Sequence, residues 1–234
     1  MPRRPRVALK GVPVHIMLRA DGRRSCFTDD QDYRTFRAWL GKALTDHDCS
    51  LHAYALLPKQ VHLLFTPRKT DSAVAAVMAM GRRYVQYFNR RHRRTGTLWE
   101  SRYRSSVIQP ETFLLECQQF IEWQPEQFKI TQNFARYRWS SYGANALRKV
   151  DPLVSPHAVY DALGRSPTTR QKKYQAMISR KPDAATTASI ALALMQNQPL
   201  GNERFYAKIE RLVGERREAR PRGRPKLAAM DGTR

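Results

Sequence analysis

The sequence predicts an α+β fold, a ferredoxin-like sandwich with helices packed on a mostly antiparallel sheet, followed by a small C-terminal helical appendage and a basic tail. Three observations predict it. Up to about residue 150, apolar runs and amphipathic stretches follow one another as strand–helix–strand–strand–helix–strand–helix. Hydrophobic residues make up 41% of the 234 residues, enough for one core of roughly 150 residues plus a small addition. Beyond Asp151 that order gives way to short helical stretches separated by Pro or Gly.

Residues 12–20, Val-Pro-Val-His-Ile-Met-Leu-Arg-Ala, read as the first strand, closed by the turn signal Asp21-Gly22. Residues 29–46 read as a helix capped by Asp29 or Asp30, with Tyr33, Phe36, Arg37, Leu40 and Leu44 on one face. Two apolar runs, 50–57 and 61–66, flank Pro58-Lys59 as a hairpin or bent strand pair. A long helix opens at Asp71 or Ser72 and runs to about Arg91, with Val74, Val77, Met78, Tyr84, Val85 and Phe88 facing inward. After the loop at Thr95-Gly96-Thr97, residues 99–109 read as extended. Pro110-Glu111 starts the next helix, with Phe113, Leu114, Phe120 and Ile121 apolar and Pro125 at its end. A short helix is expected over 137–147. Short helices are also expected over 156–163, 168–179, 184–196 and 202–213. The division that follows is 1–150 as the main domain, 151–214 as the appendage and 215–234 as a basic, disordered tail.

Charge narrows the partner. There are 42 Lys+Arg against 20 Asp+Glu, a formal net charge of +22. Such self-repulsion has no use in an enzyme for neutral small molecules, and nucleic acid relieves it. No run of about 18 apolar residues exists to span a membrane. No apolar stretch of signal-peptide length follows the basic residues 1–10. Cys26, Cys49 and Cys117 are odd in number and far apart, which indicates neither a zinc site nor a disulfide framework, and makes a reducing cytoplasm the expectation.

Between residues 82 and 104 stand Arg82, Arg83, Arg90, Arg91, Arg93, Arg94, Arg102 and Arg104 against the single acid Glu100. Tyr84, Tyr87, Phe88, Trp99 and Tyr103 are interleaved with them. Guanidinium groups grip phosphates and aromatic faces stack on unpaired bases, so the patch is read as a nucleic-acid contact. The competing reading is a solvated helix face above a core aromatic stripe. Arg4 and Arg6, with Arg3 and Lys10, form a basic arm. The tail segment Arg222-Gly223-Arg224-Pro225 resembles an AT-hook, or serves as a generic basic tail.

These residues carry a family resemblance. The stretches are Arg4-Pro5-Arg6 leading to Gly11-Val12-Pro13-x-His15; Leu51-His52-Ala53-Tyr54-x-Leu56-x-Pro58-x-x-Val61-His62; Gly81-Arg82-Arg83-Tyr84-Val85-x-Tyr87-Phe88-Asn89; Gly96-Thr97-Leu98-Trp99-Glu100-x-Arg102; and Tyr137-Arg138-Trp139-Ser140-Ser141-Tyr142. Pro199-Leu200-Gly201 also fits. Together they resemble the REP-associated tyrosine transposases, a branch of the HUH-type single-tyrosine transposases. The resemblance implies binding of a DNA hairpin or single strand from a repetitive extragenic palindrome, and a homodimer. It further implies cleavage with Mg²⁺ or Mn²⁺ held by two strand histidines and a helix residue. A tyrosine one turn earlier on that helix would attack phosphorus and leave a 5′-phosphotyrosine.

At both centres the chain departs from that pattern. Where the family has Pro-Asn-His-Val-His, this chain has Pro58-Lys59-Gln60-Val61-His62. His62 matches the second ligand, and Gln60, a weaker amide donor, stands at the first. Where the family has Tyr-Ile-x-x-Asn-Pro, this chain has Phe120-Ile121-Glu122-Trp123-Gln124-Pro125. Gln124 can act as the third ligand, but Phe120 lacks the phenolic oxygen of a nucleophile. The expectation is a DNA-binding protein whose strand cleavage is lost. Two alternatives are an active transposase that uses a relocated nucleophile such as Tyr84 or Tyr103, and a general structured-RNA-binding protein.

Overall fold

A computed structural model describes residues 6–22 and 24–219. Four strands form one sheet: β1 (Val14–Arg19), β2 (Cys49–Leu57), β3 (Gln60–Pro67) and β4 (Arg104–Val107), in the order β2-β3-β1-β4 with every neighbouring pair antiparallel. The β2–β3 hairpin turns on Pro58-Lys59, with Leu57 opposite Gln60.

Helices α1 (Asp30–Asp46) and α2 (Ser72–Arg91) are the two crossovers. They pack on the face carrying Val14, Ile16, Leu18, Val61, Leu63 and Phe65, together with Phe36, Leu40, Val77, Tyr84 and Phe88. Asp29 caps α1 by accepting from the Asp32 N–H at 3.1 Å. This strand order and helix placement make the ferredoxin-like sandwich.

On the other face lie α3 (Pro110–Gln127) and α7 (Ala184–Gln196), against Ala53, Ala55, Leu57, Leu64 and Ile108. A 3-10 turn, Phe134–Arg136, leads to α4 (Tyr142–Ala146), and α5 (Ala158–Asp161) and α6 (Pro167–Ile178) follow. The last described helix is α8 (Glu203–Val213), whose Phe205 and Ile209 enter the core of the first face.

Several local expectations change. Pro125 does not end α3, which continues to Gln127 although the proline forgoes the bond to the Ile121 carbonyl. The extended stretch expected over 99–109 pairs regularly only over Arg104–Val107, with isolated bridges at Trp99 and Ile108. The helix expected over 137–147 shrinks to Tyr142–Ala146, because Trp139 and Ser140 instead lie along β2, where the Leu56 N–H donates to the Trp139 carbonyl at 2.9 Å. Met78 points to solvent, 54% exposed, while Ala73, Ala76 and Met80 take the inward positions of α2.

The chain beyond residue 150 is laced into the sheet domain. The Tyr54 hydroxyl donates to Asp151 at 2.6 Å, and Arg37 pairs with the same carboxylate at 2.9 Å. Val154 bridges Leu51 in parallel, and Leu200 bridges Ile108. Gly41 makes room for this return: a Cβ there would stand 2.7 Å from Leu153. Arg4, Arg222, Arg224 and most of the expected tail lie outside the described residues.

Candidate functional site

The site is built on the α3/α7 face of the sheet. Residues at i and i+2 of a strand share a face, so Gln60 and His62 of β3 point the same way. Antiparallel register sets Arg19 of β1 opposite Gln60, and Met17 opposite His62. Above them α3 contributes Phe120 and Gln124, one turn apart on one helix face. His62, Gln60, Phe120 and Gln124 thus line one pocket of about 770 Å³, together with Met17, Arg19, Trp123, Glu126, Phe128 and residues of α7. The four positions singled out in the sequence are brought together.

Four contacts place the far wall. The Trp123 indole N–H donates to the Ile178 carbonyl at 3.0 Å, and Gln119 donates to the Arg180 carbonyl at 2.7 Å. These hold the link between α6 and α7, which carries Lys181 to the pocket. At the other end of α7, Asn197 in the left-handed region (φ 55°) accepts from the Ser105 N–H at 3.1 Å, and Ser106 donates to the Gln198 carbonyl at 2.7 Å. This wall was not legible in the sequence. A helix of small and apolar residues names no partner until register and loop contacts place it.

The pocket floor holds a buried histidine pair. His15 Nε2 and His62 Nδ1 lie 3.0 Å apart and share one hydrogen bond. The Phe120 ring stands edge-on to both imidazoles, 5.8 and 6.1 Å away. Burial holds His62 neutral and lowers its pKa to about 3. Burial, then the neighbouring His62, lowers His15 well below the ordinary histidine range. His62 Nε2 and His15 Nδ1 are buried without a hydrogen-bond partner among the described residues. Gln124 donates to the Phe120 carbonyl at 2.8 Å and to Gln127 Oε1 at 3.2 Å, so its amide nitrogen is engaged and its oxygen remains the acceptor.

This donor set does not fit a hard divalent ion. His62 and Glu126 are the only His, Cys, Asp or Glu side chains lining the pocket, and Glu126 Oε2 accepts from the Phe134 N–H at 3.4 Å. Among the described residues no group of three or more such side chains is placed to hold a metal ion. Neutral imidazole and neutral amides supply no charge to offset a dication, and Arg19 and Lys181 line the same space. Among the described residues no tyrosine lines the pocket either. Tyr84 is fully buried on the opposite sheet face, its hydroxyl donating to the Cys26 carbonyl at 2.5 Å, and burial raises its pKa far above the usual phenol range.

Beside the pocket, Glu122 of α3 is fully buried and accepts from Ser141 (2.6 Å), Asn145 (2.8 Å) and Tyr174 (2.9 Å). Burial raises its pKa to about 7 against the pull of those three donors. It pins the pocket helix to α4 and α6. Its place within Phe120–Pro125 gave no sign of this role, because its partners come from distant segments.

The arginine patch divides in two. Arg82, Arg90, Arg93 and Arg102 are exposed. Arg91 pairs with Asp29 at 2.6 Å and with the buried Asp32 at 3.6 Å. Arg83 lies over Trp39 at 5.2 Å, Arg94 over Phe88 at 5.5 Å, and Arg104 donates to the Met195 carbonyl at 3.1 Å. Arg6 lies over the Tyr103 ring at 4.1 Å and donates to the Tyr103 carbonyl. Tyr84 and Phe88 are core residues and present no face to a base.

The fold is an α+β sandwich in which a strand i, i+2 pair lies beneath a helix i, i+4 pair at one pocket. The family model described as "Transposase IS200 like" matches residues 8–124, half of the chain, and the chain belongs to that family. A solved structure described as the REP-associated tyrosine transposase bound to a REP hairpin is 18% identical, with a TM-score of 0.54 over 68% of this chain and 93% of that one. A Deinococcus radiodurans R1 protein assigned as a transposase is 24% identical, with a TM-score of 0.36 over 52% of this chain and 96% of that one. Only the first likeness bears on the fold. No curated protein matches significantly. No helix among the described residues is long and apolar enough to cross a membrane.

Proposed function

We propose that this chain binds hairpin or single-stranded DNA of repetitive extragenic palindromes and does not cleave it. The observation that carries the reading is the pocket itself: Phe120 stands at the nucleophile position, and among the described residues no tyrosine lines the space around it. A covalent 5′-phosphotyrosine needs a phenolic oxygen there. The poor donor set around His62 agrees with this, and so does the retained net charge of +22. Arg82, Arg90, Arg93 and Arg102 are the exposed phosphate contacts in this reading, with Arg4, Arg6, Arg222 and Arg224 as further DNA-binding candidates from the sequence. The cytoplasm suits three free cysteines. A homodimer follows from the family resemblance, and sedimentation with and without DNA tests it.

The deciding experiment pairs electrophoretic shift with cleavage on palindrome hairpins in Mn²⁺, using wild type, Gln60→His, Phe120→Tyr and the double variant. Wild type should shift the hairpin and form no adduct. The single variants should form little, and the double variant should form a phosphotyrosyl adduct. An adduct on wild type, or preference for a matched RNA hairpin over the DNA, overturns the reading.

A further inference from the structure

We propose that the pocket between β3, α3 and α7 takes one unpaired nucleobase of the bound DNA. This rests on the DNA-binding reading above and names what the former catalytic space receives. The pocket is about 770 Å³, large enough for a nucleoside, and its chemistry suits a flat, uncharged, hydrogen-bonding ring. Phe120, Trp123 and Phe128 supply aromatic surface, and Met17, Leu194 and Met195 supply apolar wall. Phe128 and Met195 are left 50% and 44% exposed, so apolar area at the mouth stays in water until something covers it.

The polar groups aim at a base edge. Gln60 carries no side-chain hydrogen bond to another described residue, so its amide offers one donor group and one acceptor. Gln124 spends its nitrogen on Phe120 and Gln127, which leaves its oxygen as an acceptor for an exocyclic amine or ring N–H. His62, 98% buried since its relative exposure is 2%, lines the pocket with an unpartnered Nε2. Arg19 and Lys181 also line the pocket and can meet the nucleotide's own phosphate, while the remaining polar groups suit a base edge. Amides, one neutral imidazole and aromatic surface are the equipment by which proteins read a splayed-out base.

The test scans single abasic sites through the unpaired nucleotides of a palindrome hairpin. Affinity is measured for wild type and for Gln60→Ala/Phe128→Ala, with thermal melting to check the fold. Both substituted side chains are at least partly exposed, so the variant should melt like wild type. In wild type one abasic position should weaken binding roughly tenfold or more, the scale of one lost stacked base. In the variant the same lesion should cost clearly less than in wild type, because two of the base's partners are already gone. Binding by both proteins with equal lesion costs at every position overturns the nucleobase pocket alone. Failure of wild type to bind any hairpin overturns this inference and the DNA-binding reading together.

Discussion

The two faces of the sheet are spent differently. Under α1 and α2 the face is dry: Phe36, Tyr84 and Phe88 are at most 1% exposed and close over Ile16, Leu63 and Phe65. Under α3 and α7 the face gives up apolar area to His15, His62 and Gln60, and keeps a pocket of about 770 Å³. A core optimised for stability has no reason to bury imidazole nitrogens without partners. The second face keeps a polar floor and an open pocket, and the first packs the same sheet densely from behind.

The largest expected effect is on the first face. Phe36 is fully buried, with its ring edge-on to Tyr84 at 4.9 Å and to Phe27 at 5.3 Å. Phe36→Ala should cost about 3–5 kcal/mol in urea unfolding. A cost near 1 kcal/mol would mean that this face is as loosely packed as the other.

Next comes Glu122, which tethers the second face to α4 and α6. Its pKa in the fold is raised from 4.5 to about 7, so the folded state holds a proton that the unfolded chain releases between those values. Stability contributed by the neutral form is therefore present below pH 4.5 and lost as pH rises to about 7. The difference is on the order of 3 kcal/mol. Glu122→Gln should flatten urea-derived stability across that window. An unchanged slope would show that the carboxyl ionises in the fold without penalty.

The arginine patch gives a smaller effect and a cleaner split. Arg82 and Arg90 lie on one exposed stripe of α2, eight residues apart, and the packed Arg83 and Arg94 rest on Trp39 and Phe88. Arg82→Ala/Arg90→Ala should lower the log–log salt slope of hairpin binding by about 1–2 and leave the melting temperature unchanged. Arg83→Ala/Arg94→Ala should lower the melting temperature. The reverse pattern would move the DNA contact off the exposed stripe.

Much of the first face was legible in the sequence because periodicity reports burial. The face of α1 through Phe36, Leu40 and Leu44 stands as read from the spacing. On α2 the same reasoning misplaced Met78, since Ala73, Ala76, Val77 and Met80 take the sheet-facing positions and Met78 falls outside that stripe. On the second face, Gln60, His62, Phe120 and Gln124 were found through motif resemblance, not through periodicity. Their neighbours were not found. His15 reaches His62 diagonally on the neighbouring strand, and α7 returns from nearly sixty residues beyond the end of α3. Contacts that depend on register and on chain return leave no local signal.

The smallest expected effect concerns the histidine pair. Truncating one imidazole strands the other's buried nitrogen without its partner, so either single substitution should be destabilising. Replacing both, His15→Leu/His62→Leu, removes donor and acceptor together at similar volume and should leave stability at pH 7.5 within about 1 kcal/mol of wild type. The pH dependence supplies the sharper readout. In the fold the His62 pKa is lowered from 6.5 to about 3, so below 6.5 the unfolded chain takes up a proton that the folded chain refuses. Wild-type stability from this group is full above pH 6.5 and falls as pH drops toward 3, opposite in direction to Glu122. The double leucine variant should lose that acid-side decline and keep the Glu122 slope. If instead it unfolds at pH 7.5, the polar floor of the second face is structural, and the contrast between the two faces collapses.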